Sequence, residues 1–128
     1  MAKRILGIVE TAYRATVEEQ DDTVLWLHHM LKNNGMDVSL LLRGNAVNYA
    51  VRGQDPGGLR FGDLGVEHAP ALDHDLAALI ERGVPVYVVD EDRQERGIPA
   101  TRLVDGTRPV TRRELPSLFE RFDQVWHW

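Results

Sequence analysis

The chain of 128 residues contains no cysteine. That absence excludes disulfides, thiolate catalysis, persulfide carriage on protein sulfur and every cysteine-based metal site. No apolar run approaches the roughly 18 residues a membrane span requires. The basic start Met1-Ala2-Lys3-Arg4 leads into a short apolar run that soon meets Glu10, which is a strand pattern and not a secretion signal. The cytoplasm is the expected compartment. Basic charge is not in excess either: the formal net charge is -5, so the balance argues against a general nucleic-acid binder. Repeats and low-complexity tracts are missing as well. What remains is 43% apolar and 27% charged, the make-up of one ordinary globular domain spanning 1–128 with a core of its own.

The clearest structural signal is Gly83 to Gly97, GVPVYVVDEDRQERG. Val84, Val86, Tyr87, Val88 and Val89 run without polar alternation, as a strand covered on both faces does in a parallel sheet. Pro85 has no N–H to donate and belongs at the start of such a strand. The run stops at Asp90-Glu91-Asp92-Arg93. Ligands in open α/β sheets sit at the carboxyl ends of strands, so this junction is the best functional address in the chain. Asp90 and Asp92 are candidates for holding a cation or polarising a bound group, and Arg93 and Arg96 for binding an anion. These side chains could equally pair with one another on a solvated face.

The rest of the chain follows the same logic. Ile5 to Val9 predicts a first strand, with Glu10, Thr11, Tyr13 and Arg14 at its carboxyl end, where they could line a cleft mouth. Residues 10–22 hold five acids against one base, and Asp21 or Asp22 can cap a helix. Val24, Leu27, Met30 and Leu31 recur at helical spacing, and Gly35 suits a left-handed helix end. His28 and His29 point about 100° apart on that helix and do not share a metal easily. Asp37 to Leu42 predicts a second strand, closed by Arg43-Gly44-Asn45, and Asn45 could orient a ligand through its amide.

Residues 52–70 carry five glycines and two prolines and lose all periodicity. They predict one long loop, with a strand fragment at Leu59 to Phe61. Gly57-Gly58 lacks the spacing and the lysine of a phosphate loop. Leu72, Leu76, Leu79 and Ile80 mark the next helix, Pro70 to Glu81. His68, Asp73, His74 and Asp75 have metal-capable atoms, but their spacing matches no compact zinc pattern, so no metal is expected. Thr111 and Glu114 have the spacing of a capping box before the last helix, whose Leu115, Leu118, Phe119 and Phe122 face inward. Val125-Trp126-His127-Trp128 predicts a terminal strand. Trp126 and Trp128 are candidates either for a subunit interface or for the core.

Strands alternating with helices predict a three-layer α/β sandwich: a mostly parallel, flavodoxin-like sheet of about five strands flanked by helices. Its carboxyl edge would gather Glu10, Arg14, Asn45, Asp90 and Arg93 in a cleft.

The opening ILGIVET, the helix ending in NNGMDVSLLL, and GVPVYVVDEDRQERGI followed by a last helix and FDQVWHW together resemble the DsrE/DsrF-like proteins of sulfur metabolism, which include the subunits of the TusBCD relay. The resemblance covers nearly the whole chain. It implies the α/β fold and assembly into homotrimers or homohexamers, or into hetero-oligomers with related subunits. Sulfur-carrying members place a cysteine near the end of the strand before the RGI-like turn. Counting back from Arg96-Gly97-Ile98 puts that place at Val89, which cannot form a persulfide. The resemblance therefore implies a non-catalytic companion subunit that needs no cofactor. Two alternatives stand beside it. One is a binding module for a nucleotide or another small anion at the strand ends; the other is a cysteine-independent enzyme with Asp90 as base and Arg93 stabilising negative charge.

Overall fold

The computed structural model describes residues 3–11, 23–54, 60–65 and 71–128. Five strands form one sheet: β1 (Arg4–Val9), β2 (Asp37–Leu42), β5 (Val86–Val89), β6 (Arg108–Val110) and β7 (Gln124–His127). Their order is β6-β5-β2-β1-β7, and every pair is parallel. Two further strands, β3 (Arg60–Phe61) and β4 (Leu64–Gly65), make a small antiparallel hairpin. The helices are α1 (Thr23–Asn33), α2 (Leu72–Glu81), α3 (Asp90–Glu95) and α4 (Leu115–Glu120), with a 3-10 helix at Gly44–Ala50.

The chain advances from β1 through β2 and β5 to β6, then reverses through α4 and lays β7 on the far side of β1. Parallel crossovers are right-handed, so the reversal places α4 on the face opposite α1 and α2. The core divides accordingly. Ile5, Val9, Leu40, Leu42, Val86 and Val88 meet Val24 and Leu25 of α1 and Leu76 and Leu79 of α2. Leu6, Ile8, Leu41, Tyr87 and Val89 meet Leu115 and Leu118 of α4, with Phe119 and Phe122 at the margin. Neighbouring residues on each strand point to opposite faces, and both faces are covered. That is why the strand sequences show apolar runs without alternation.

One register position is unusual. Gly7 faces α1, and a Cβ built on it would stand 2.1 Å from Nε2 of His28. The His28 ring therefore lies directly on the backbone of β1, fully buried. Its Nδ1 donates to the Val24 carbonyl at 2.8 Å, and its ring meets Trp128 edge-on with centroids 5.9 Å apart. Trp126 stands edge-on to Trp128 at 6.2 Å, and both are half-buried against the α1 face of the core. Their partners on the other face of β7 are less covered: Val125 is 42% exposed.

The boundaries differ from the sequence expectation in three places. Val84 and Pro85 precede the strand and do not enter it, although the Pro85 carbonyl still accepts from Leu40 N at 2.9 Å. The acids after β5 are not an open strand end but the first turn of α3. Leu103 makes only an isolated bridge to Val51, and the strand of that region is β6. Pro109 is tolerated there because β6 is an edge strand with one partner. The last helix starts as expected: Thr111 and Glu114 form a complete capping box at the turn that leads into α4, and Pro116 falls in the first turn of α4. That box also holds the Glu114 carboxyl below its ordinary pKa, because the Thr111 amide and hydroxyl bond its ionised form.

Candidate functional site at the carboxyl edge of the sheet

The carboxyl ends of β1, β2, β5, β6 and β7 bring together residues far apart in sequence. Asp92 is the hub. Only 6% of it is exposed. One carboxylate oxygen accepts the Gly44 N–H at 2.8 Å, and the other accepts from Nη2 of Arg112. Gly44 has φ of 58°, a left-handed conformation that glycine adopts without strain and that turns its N–H toward α3. Burial pushes the Asp92 carboxyl up, but the Gly44 amide and the Arg112 guanidinium outweigh it and hold the group below the ordinary carboxylate value.

Around this hub each charge has a protein partner. Arg112 also reaches Glu95 at 3.0 Å, and its backbone N–H donates to the Glu91 carboxylate at 3.0 Å. Arg96 donates to Asn45 Oδ1 at 2.7 Å and to the Asp92 carbonyl at 3.1 Å. Asp90 receives both Nε and Nη2 of Arg93, at 2.9 and 2.7 Å, through one oxygen, and the Gln94 amide at 2.7 Å through the other. The remaining Arg93 nitrogen donates to the Ile98 carbonyl at 2.7 Å. Asp90 and Arg93 thus neutralise each other one turn apart on α3.

Glu10 lies at the other end of this edge. Its carboxylate meets Nε2 of His127 at 2.9 Å and Nε of Arg43 at 3.8 Å. The chain turns in opposite directions on either side of β1, so Glu10 and His127 flank the point where open α/β sheets take ligands. Both are roughly half-exposed, and a carboxylate beside an imidazole can hold or pass a proton. Thr11 is exposed beside them. Tyr13 and Arg14 lie outside the described residues.

Of the residues singled out from the sequence, Asn45, Asp90, Asp92 and Arg93 come together around α3, and Glu10 sits by β1 and β7. Sequence reasoning missed Arg112, Arg43 and His127. Arg112 follows a recognisable cap, but its partner Asp92 lies 20 residues earlier, and no spacing rule connects them. Among the described residues, no three potential metal ligands converge. No described helix is long and apolar enough to cross a membrane.

Val89 closes β5 with its side chain fully buried, packed among Leu6, Ile8 and Leu115 under α4. A side chain at this position points into the core and not toward the polar edge.

The whole architecture matches solved structures. The ychN protein of E. coli superposes with a TM-score of 0.71 at 23% identity, over 98% of this chain and 99% of that one. MTH1491 of Methanobacterium thermoautotrophicum, a protein of unknown function, gives 0.62 at 15% identity over 97% and 98% of the two chains. BT1422 of Bacteroides thetaiotaomicron, a conserved protein of unknown function, gives 0.66 at 13% identity over 97% and 94%. At these identities the likeness establishes a shared fold. No family model matches the chain, and no curated protein does.

Proposed function

We propose that this chain is a non-catalytic, oligomeric DsrE/DsrF-like subunit, a companion in sulfur-related metabolism that carries no persulfide itself. The observation that supports this reading is at Val89, the place that the resemblance assigns to the carriers' thiol: its side chain is fully buried in the α4 core, and the acids and arginines that follow are bonded to one another. Around α3, charges bonded in this way hold a shape for a neighbour and leave Asp90 and Asp92 engaged with protein donors. The enzyme reading with Asp90 as base is weakened by the same bonds, since both Asp90 oxygens are occupied.

Assembly is supported by the C-terminal strand. Among the described residues β7 is an edge strand paired with β1 alone, and unpaired strand edges are ready templates for another chain. Val125 on β7 and Trp26 on α1, 42% and 51% exposed, are the large apolar side chains the described surface leaves in water. Sedimentation velocity tests the assembly directly. The expected outcome is a trimer or hexamer, or a mixed complex when the chain is isolated with its host's proteins, and Val125→Glu shifts it toward monomer. A wild-type monomer at micromolar concentration refutes the reading.

A further inference from the structure

Three arginines differ from those at the carboxyl edge. Arg93, Arg96 and Arg112 each hold a carboxylate or amide oxygen of the protein. Arg108 on β6, Arg113 in the 3-10 turn Arg112–Glu114 and Arg121 at the end of α4 are exposed, and their guanidiniums make no hydrogen bond and no ion pair among the described residues. All three belong to the α4 side of the sheet. Tyr87 faces α4, and Arg108 is its register partner, so Arg108 projects to the same face. The Arg108 and Arg121 guanidiniums each stand 5.9 Å from the Tyr87 ring centroid, within cation–π range. Arg113, Ser117 and Arg121 follow at four-residue steps through the turn and α4, and all three line one surface cavity of about 450 Å³. Val110 and Leu118, both buried, complete its lining, and its volume falls within the ordinary range for small-molecule sites.

The chemistry of the lining selects the occupant. Its one acid, Glu114, is committed to the capping box: Oε1 accepts from the Thr111 amide at 3.0 Å and from the Thr111 hydroxyl at 2.9 Å. Against that carboxylate stand Arg113 and Arg121 in the lining and Arg108 across the Tyr87 ring. Guanidiniums stay protonated in proteins, so this face keeps a surplus of positive charge on a chain whose net charge is -5. Their planar N–H forks fit phosphate oxygens in pairs. A phosphate monoester carries about -1.5 to -2 of charge at pH 7 on three acceptor oxygens, which matches two guanidiniums and the Ser117 hydroxyl. Val110 and Leu118 offer apolar surface for the rest of such a ligand. We infer that this cavity is a binding site for a small organic phosphate monoester, with its phosphate held by Arg113 and Arg121 and its apolar body on Val110 and Leu118.

The test is an amide NMR titration of the full chain with phenyl phosphate at fixed ionic strength, with phenol and inorganic phosphate as controls. Saturable shifts at Arg113, Ser117 and Arg121 are expected with phenyl phosphate. Phenol, which lacks the charge, should bind at least about tenfold more weakly, and inorganic phosphate, which lacks the apolar body, should also bind more weakly. Arg113→Gln should weaken phenyl phosphate by about tenfold, and it should fold because the side chain is exposed and its guanidinium holds no other part of the chain. Arg121→Gln should act in the same direction. β6 and β7 are opposite edges of the sheet, so the result does not hinge on assembly through β7. Absence of saturable shifts with millimolar phenyl phosphate, equal binding of phenol or of inorganic phosphate, or unchanged binding in Arg113→Gln would each overturn the proposal.

Discussion

Asp92 and Asp73 are nearly the same device used in two places. Each is an aspartate in the first turn of a helix, each is buried, and each captures the backbone N–H of a distant glycine: Gly44 at 2.8 Å and Gly53 at 2.9 Å. They differ in the second oxygen. In Asp92 it is closed by Arg112, which also ties in Glu95 and so links α3 to the segment after β6. In Asp73 it has no hydrogen-bond partner among the described residues. The same side chain is therefore a finished brace at the carboxyl edge and an unfinished one beside α2. By this measure the polar edge that the sequence advertises is the more fully bonded of the two regions.

The comparison breaks most visibly at Asp92. Asp92→Ala leaves the Gly44 amide and the Arg112 guanidinium without their acceptor, and should cost about 2 kcal/mol, read as a lower urea midpoint at unchanged slope. Asp73→Ala loses a single amide bond and removes an unsatisfied oxygen, so it should cost about 1 kcal/mol or less. Equal losses at the two positions would mean that Arg112 adds nothing to the brace.

Acid sharpens the contrast. The Asp92 pKa is lowered in the folded state, so its contribution is present above the ordinary carboxylate pKa and is lost as pH falls through the folded value. The stability gap between wild type and Asp92→Asn should therefore be widest near neutrality and shrink on acidification. A gap that stays constant across that range contradicts the assigned ionisation.

A smaller effect concerns the thiol that is absent. Val89→Cys should fold with little loss, since it exchanges one small apolar side chain for another in a filled core. Because position 89 is fully buried, the new thiol should react with an aromatic disulfide reagent only on unfolding. Rapid reaction of the native variant would place position 89 at an accessible edge and weaken the companion reading.

Much of the fold is legible in the sequence, and the reasons are local. β1, β2 and β5 announce themselves because both faces of a central parallel strand are buried, and the helix α4 because Thr111 and Glu114 are three residues apart. β6 is illegible for the opposite reason: Arg108-Pro109-Val110 buries only Val110, and its pairing with Tyr87, Val88 and Val89 exists only in three dimensions. The site is harder to read than the fold. Clustered acids after a strand look like an open ligand edge, but the partners that close Asp92, Arg112 and Gly44, come from other strand ends. Asp73 stands among metal-capable neighbours with no useful spacing, and its distinction depends on Gly53, 20 residues earlier. Period and capping are written in neighbouring residues; completion of a buried carboxylate is not.

The most direct test of the companion role is native mass spectrometry on protein taken gently from its own host. The account predicts a trimer, a hexamer or a mixed complex, with no sulfur-adduct mass on this chain. A monomer, or a chain carrying a covalent sulfur adduct, would contradict it.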